Sequence, residues 1–183
     1  FIHLTFTYGG MLIILGKINI LKFFSKMKNS MLFAFSTASS AATIPINLKT
    51  VEENLGVKKS VASFTVPLGA TINMDGTAIM QGVATVFLAN TYGIDLSFTD
   101  YLSVILVATL ASIGTAGVPG VGLIMLTMVL DQVGLPAEGI ALIIGIDRIL
   151  DMTRTAVNVT GDATISCLVA KVEKKIDLDK INS

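Results

Sequence analysis

Five polar residues, Asp147, Asp151, Arg154, Asn158 and Asp162, recur at helical spacing inside an otherwise apolar stretch near the end of the chain. At about 100° per residue they fall within roughly 80° of arc, so one helix would present them as a single polar stripe. A charged side chain costs on the order of 2.5–3.5 kcal/mol to insert at the centre of a membrane helix. Such groups therefore pair with one another or face a water-filled path for ions or solutes. The stripe is the candidate working site.

A second polar string, Gly69-Ala70-Thr71-Ile72-Asn73-Met74-Asp75-Gly76-Thr77, interrupts another apolar stretch at residues 60–89. Asn, Asp and glycines there predict a locally unwound helix with freed carbonyl oxygens. Together with Asn73, Asp75, Asn158 and Asp162 those carbonyls make an all-oxygen environment for a hard cation, with no His or Cys nearby to favour a transition metal.

The elements that must carry these residues follow from composition and charge. The 183 residues are 52% hydrophobic and 14% charged, with mean hydropathy +0.77, which points to an all-α membrane protein. Net charge is zero and no basic stripe is interleaved with aromatics, so nothing indicates nucleic acid. The lone Cys167 excludes an internal disulfide and reads as packing, and His3 reads as structural or interfacial. The chain starts Phe1-Ile2-His3 within an apolar run and reads as the C-terminal part of a longer protein.

Lysines cluster at 17–28, 49–59 and 171–180, whereas the loops at 95–100 and 131–138 carry only acids. The positive-inside rule places the lysine clusters and the C-terminus in the cytoplasm and the acidic loops outside. Residues 31–48 have lysines on both flanks and a small, polar, Pro-containing middle at 36–45, so they should enter and leave on the same side. Residues 101–130, acidic at both ends and broken at 112–122, should do likewise from outside. Each arm is about ten residues, or about 15 Å of helix, half a hydrocarbon core.

The expected organisation runs as follows: residues 1–28, the end of a transmembrane helix and a linker; 29–57, a first re-entrant hairpin; 58–98, a broken transmembrane helix; 99–135, a second hairpin; 136–171, a last transmembrane helix; and 172–183, a tail. The second hairpin-plus-span is inverted relative to the first. Such inverted repeats with discontinuous helices meeting at the midplane characterise secondary transporters. Irregular backbone at membrane depth must be buried or line a cavity, so two tips and an unwound span imply one shared cavity.

Plainer roles compete for some of these residues. Ser36, Thr37, Thr43, Thr109 and Thr127 suit helix–helix hydrogen bonding, and Met74, Met80, Met125, Met128 and Met152 suit packing. The glycines of 114–122 lack the Gly-Lys-Ser/Thr of a phosphate-binding loop. Four ionisable groups, Asp75, Asp151, Arg154 and Asp162, are an expensive way to pack helices.

The strings Asn73-Met74-Asp75-Gly76-Thr77-Ala78, Ala111-Ser112-Ile113-Gly114-Thr115-Ala116-Gly117-Val118-Pro119-Gly120 and residues 151–162 (DMTRTAVNVTGD) resemble the sodium-coupled glutamate/aspartate transporters, the dicarboxylate/amino acid:cation symporters. The likeness implies that Asp151 holds the substrate amine and Arg154, helped by Thr77, its distal carboxylate. Asn158 and the backbone at Ser39–Ser40 would hold the α-carboxylate, and the Val118 carbonyl would face the amine. One Na+ site would use Gly69, Asn73, Asn158 and Asp162; a second Thr71, Met74, Ser112, Ile113 and Thr115; a third Asn73 and Asp75. The resemblance also implies a plasma-membrane homotrimer joined through N-terminal scaffold helices, with hairpin 2 as gate and elevator-like movement. Proton coupling, or dicarboxylate, neutral amino acid or cystine substrates, are alternatives within the same fold.

Some relatives carry an Arg at the first tip where this chain has Ala38, and a Ser where it has Ala41. Arg148, three residues before Asp151, is expected to replace that charge near the Asp151 carboxylate. An intramembrane protease using Asp75 and Asp162, or a simple ion channel, are the rival readings. The first lacks the Gly-x-Gly-Asp string such enzymes resemble, and the second gives no reason for Arg154 facing Asp151.

Overall fold

The computed structural model describes residues 1–182, and among these the only extended pairing is one isolated bridge between Val57 and Ile176. The remainder is helices and turns. Helix α1 combines π-helical turns at His3–Tyr8 and Leu12–Gly16 around an α-helical Gly9–Met11, and ends where Lys17 turns left-handed at φ 53°. Helix α2, Ile20–Thr37, starts at Asn19, whose side-chain oxygen accepts from the N–H groups of Leu21 and Lys22. That cap satisfies donors a first helical turn leaves free.

Ala38, at φ 51°, reverses the chain, and Ser39 caps α3, Ser40–Lys49, by accepting from the Ala42 N–H. The turn therefore sits within the small-residue run, but Pro45, read in the sequence as part of the bend, lies inside α3. The reversal is made by a left-handed residue followed by a serine cap, which leaves proline nothing to do there. A π-turn, Thr50–Asn54, extends α3.

Helices α4, Lys59–Ile72, and α5, Asp75–Tyr92, are separated by Asn73 and Met74, whose backbones leave the helical region at ψ 78° and 44°. Helix α6, Phe98–Ile113, opens with a capping box between Ser97 and Asp100. After the turn at 114–120, α7 runs Val121–Gln132 from Gly120 at φ 82°, a value that suits glycine. A 3-10 segment, Ala137–Leu142, leads into α8, Ile144–Val172, and a short α9, Leu178–Asn182, closes the described chain.

Helix α8 is the axis of the molecule. Its C-terminal half joins a core with Leu12, Phe23, Met27, Val66, Cys167 and Ile181, while its N-terminal approach borders a second core of Leu88, Val104, Leu126, Val129 and Leu130 from α5, α6 and α7. The hydroxyls of Thr155, Thr160, Thr164 and Ser166 each donate to the carbonyl four residues back, so these buried polar groups are satisfied within α8 itself.

No described helix is by itself long and apolar enough to cross a membrane. The reasons are local. Residues 58–98 are cut in two at Asn73–Met74, and the 29-residue α8 carries Asp147, Arg148, Asp151, Arg154, Asp162 and Lys171. Large apolar side chains, among them Phe64, Val83, Phe87, Ile105, Leu106 and Ile124, are nevertheless exposed on the outer faces.

The α5–α8 contact is closest at Gly76, where an added Cβ would lie 2.7 Å from the Arg154 carbonyl oxygen and 3.0 Å from its Cα. Backbone cannot yield as a side-chain tip can. Gly76→Ala should destabilise the fold by about 1–3 kcal/mol, the range for overpacking. A thermal unfolding scan in detergent checks this; an unchanged midpoint would contradict the packing described.

Candidate functional site

All five residues of the α8 stripe are buried. The Arg154 guanidinium reaches back along the helix, Nη1 donating to Asp147 Oδ1 at 3.0 Å and Nε to Asp151 Oδ1 at 3.1 Å. Its third nitrogen, Nη2, is buried without a hydrogen-bond partner. The guanidinium lies at Gly122, where an added Cβ would stand 3.1 Å from Nη2 and 3.1 Å from Thr77 Cγ2. The other Asp151 oxygen, Oδ2, accepts from the Gly120 N–H at 2.8 Å, tying the start of α7 to the stripe.

One turn further on, the break between α4 and α5 closes over Asn158 and Asp162. The Asn73 side-chain amide donates to the Asn158 carbonyl at 3.1 Å and to Asp162 Oδ1 at 2.9 Å, and the Gly76 N–H donates to Asn158 Oδ1 at 2.7 Å. Asn158 Nδ2 points to the Met74 sulfur at 3.2 Å and the Thr77 hydroxyl at 3.4 Å. Gly69 leaves the space that the Asp162 carboxylate fills, 2.5 Å from where a Cβ would sit. Asp162 is thus a buried carboxylate beside amide and peptide groups, with no cationic side chain bonded to it among the described residues. Carboxylate and carbonyl oxygens suit a hard cation.

The two helical turns meet over this region. The Gly117 carbonyl accepts from the Ser39 hydroxyl at 2.8 Å and from the Ala41 N–H at 3.1 Å. Beneath them is a cavity of about 10 Å³, lined by Ser40, Thr77, Val118, Asp151, Arg154 and Asn158 among others. This is room for about one water. A larger groove of about 970 Å³ runs along α5 and α8 past Ile79, Val83, Phe87, Ile146 and Val157. Convergent polar groups distinguish a binding site from apolar volume, so the small cavity is the candidate.

The structure thus brings Ser40, Thr77, Val118, Asp151, Arg154 and Asn158 to one cavity, with Ser39 one bond away at the tip contact. Gly69, Asn73, Asn158 and Asp162 also meet. Of the second ion set, Met74 and Thr115 line this same cavity, whereas Thr71, Ser112 and Ile113 do not. Thr71 is exposed and its hydroxyl returns to the Pro67 carbonyl; Ser112 donates to the Thr109 carbonyl within α6, and Thr115, in the turn after α6, donates back to the Ala111 carbonyl; Ile113 is exposed. Among the described residues no hydrogen bond joins Thr71 or Met74 to the second tip.

Asp75 faces α1. Its Oδ2 accepts the Tyr8 hydroxyl at 2.8 Å and lies 3.0 Å from His3 Nε2. The two rings meet edge to face with centroids 4.6 Å apart. Sequence reasoning missed Tyr8 and gave His3 no polar role. The available signal was that an acid within an apolar stretch needs a partner, and the chain has one histidine. Arg148 is corrected too. It is exposed and forms no ion pair with Asp151, because its position lies about 60° round the helix from Asp151, on the outer face. The cation near Asp151 is Arg154, whose other carboxylate is Asp147.

Residues 1–172 match the model of the Sodium:dicarboxylate symporter family. The chain belongs to that family. It is 50% identical over 146 residues to an excitatory amino acid transporter of Caenorhabditis elegans, covering 80% of this chain and 29% of the relative. To excitatory amino acid transporter 2 of Homo sapiens it is 44% identical over 165 residues, 90% of this chain and 29% of the relative. To a proton/sodium-glutamate symport protein of Geobacillus stearothermophilus it is 41% identical over 172 residues, 94% of this chain and 40% of the relative. The chain therefore spans between 29% and 40% of the length of these relatives. The family is one of symporters, not enzymes, which removes the protease reading.

Should the ligand be an acidic amino acid, Arg148→Ala, on the outer face, is expected to leave its affinity within about twofold of wild type. A tenfold loss, measured by titration calorimetry on the complete polypeptide, would return Arg148 to the site.

Proposed function

We propose that this chain forms the substrate- and ion-binding part of a secondary active symporter that carries aspartate or glutamate into the cell with Na+. The observation that carries the reading is the pairing of a buried arginine, whose Nη2 has no partner, with a carboxylate on the same helix face, under two converging turns. A guanidinium and a carboxylate side by side match the distal carboxylate and the amine of an acidic amino acid.

In this reading Asp151 receives the amine and Arg154 the distal carboxylate, with Thr77 beside it. Asn158 and the peptide groups at Ser39–Ser40 take the α-carboxylate, and Val118 faces the amine. Na+ travels as co-substrate. One ion is held by Gly69, Asn73, Asn158 and Asp162, a second by Thr71, Met74 and the tip residues Ser112, Ile113 and Thr115, and a third by Asn73 and Asp75. The 114–120 turn already packs on α4, a Cβ on Gly117 standing 2.9 Å from the Ala70 carbonyl, and it must swing away for the one-water cavity to admit an amino acid. The third places Tyr8 and His3 next to the ion.

The α2–α3 and α6–α7 pairs are the re-entrant hairpins of this proposal, α4–α5 and α8 the discontinuous and polar spans, and the exposed apolar faces meet lipid or scaffold helices in a plasma-membrane homotrimer. The break at Asn73–Met74 and the charge-striped α8 account for the lack, among the described residues, of any helix apolar enough to span alone, while the hairpin arms exceed the expected ten residues, α2 having 18 and α6 having 16. With the C-terminus cytoplasmic, the α6–α7 pair opens outward as the gate, and the unit moves in elevator fashion. An acidic amino acid carries a net charge of −1, so several co-bound Na+ make the loaded unit positive, and the membrane potential drives it inward by about 2.3 kcal/mol per charge per 100 mV. Proton coupling is the second reading, favoured by the proton/sodium-glutamate name of a relative.

Radiolabelled aspartate uptake into proteoliposomes holding the complete polypeptide tests this. Uptake should require an inward Na+ gradient and vanish in Arg154→Ala. Uptake driven by a proton gradient without Na+ would favour the second reading, and unchanged uptake in Arg154→Ala would refute the carboxylate assignment.

A further inference from the structure

Asp147 lies on the stripe, yet no step of the proposed binding uses it. It is buried, and among the described residues its side chain bonds to Arg154, through Nη1 at 3.0 Å. The two residues stand two helical turns apart with Asp151 between them, so Arg154 reaches back past one carboxylate to hold another. A single aspartate would suffice to neutralise one arginine.

The second carboxylate acquires a purpose when charges are followed through binding. Once Asp151 engages an ammonium group, its hold on Arg154 Nε weakens, and the guanidinium would be left without a fixed counter-charge. Asp147 keeps that counter-charge in place. With Nη1 on Asp147, the remaining bare nitrogen, Nη2, stays beside Gly122 in the wall of the cavity.

We infer that Asp147 is a positioning residue for acidic-substrate recognition: it anchors Arg154 independently of Asp151, releasing Asp151 for the substrate amine and holding Nη2 toward the distal carboxylate. The inference rests on the proposed function, since it presumes that Arg154 receives a carboxylate.

The test is aspartate uptake kinetics in proteoliposomes with the complete polypeptide, normalised to reconstituted protein. Asp147→Asn should raise KM for aspartate by about tenfold while the maximal rate stays within threefold of wild type. Asp147→Glu, which keeps the charge but displaces it by a methylene, should give an intermediate KM at least threefold above wild type. A KM within threefold of wild type in Asp147→Asn, or a fall in maximal rate alone, would overturn the inference. If Asp147→Asn does not reconstitute, Asp147→Glu decides, and a wild-type KM there overturns it. Arg154→Ala separates the two levels. Lost aspartate uptake in Arg154→Ala beside a wild-type Asp147→Asn refutes only the role of Asp147, whereas retained uptake in Arg154→Ala refutes the reading beneath it.

Discussion

The burial of one guanidinium between two carboxylates sets the terms for everything around it. Removing one partner from a buried ion pair costs about 3–5 kcal/mol, because the remaining charge is left uncompensated. Arg154 can be buried because Asp147 and Asp151 sit on its own helix, and Asp151 can be buried because the Gly120 N–H supplies a further donor. The start of α7 is thereby drawn onto α8. From α7 the link continues through the 114–120 turn to the Ser39–Gly117 hydrogen bond and so to α3. A charge requirement on one helix organises two helix pairs.

The second organising constraint is peptide groups freed from helices. The break at Asn73–Met74 would expose unpaired backbone, and the side chains of α8 answer it: Asn158 accepts from Gly76, and Asn73 spends its amide on the Asn158 carbonyl and the Asp162 carboxylate. Buried polar networks of this kind are stable only when nearly every member is satisfied. The glycines at 69 and 76 are steric conditions of the same arrangement, since a Cβ at either would strike Asp162 or the α8 backbone. The result is a region rich in oxygen atoms, short of cations and shielded from solvent.

Those parts of the site that depend on periodicity were legible in the sequence. The arc of Asp147 to Asp162 on one helix face, the interruption at 69–77 and the turn within the small-residue run at 36–45 all follow from spacing and residue type. What could not be read was azimuth and distance. Arg148 and Asp147 are adjacent in sequence, but the 100° between them sends one outward and the other to Arg154. Asp75 shares its string with Asn73, yet it finds its partners 67 and 72 residues away on α1, a pairing no local pattern encodes. Pro45 was misplaced because composition marks a bend without telling which residue makes it, and the left-handed Ala38 with the Ser39 cap sufficed.

Under the proposed function, one acid-and-arginine face binds an acidic amino acid together with Na+ held by neighbouring oxygens. Linkage tests it most directly, through the aspartate dissociation constant of the complete polypeptide measured calorimetrically across a range of Na+ concentrations at constant ionic strength. The affinity should rise steeply with Na+, with a slope above 1 on logarithmic axes if more than one ion binds with each substrate. An affinity independent of Na+ would contradict it.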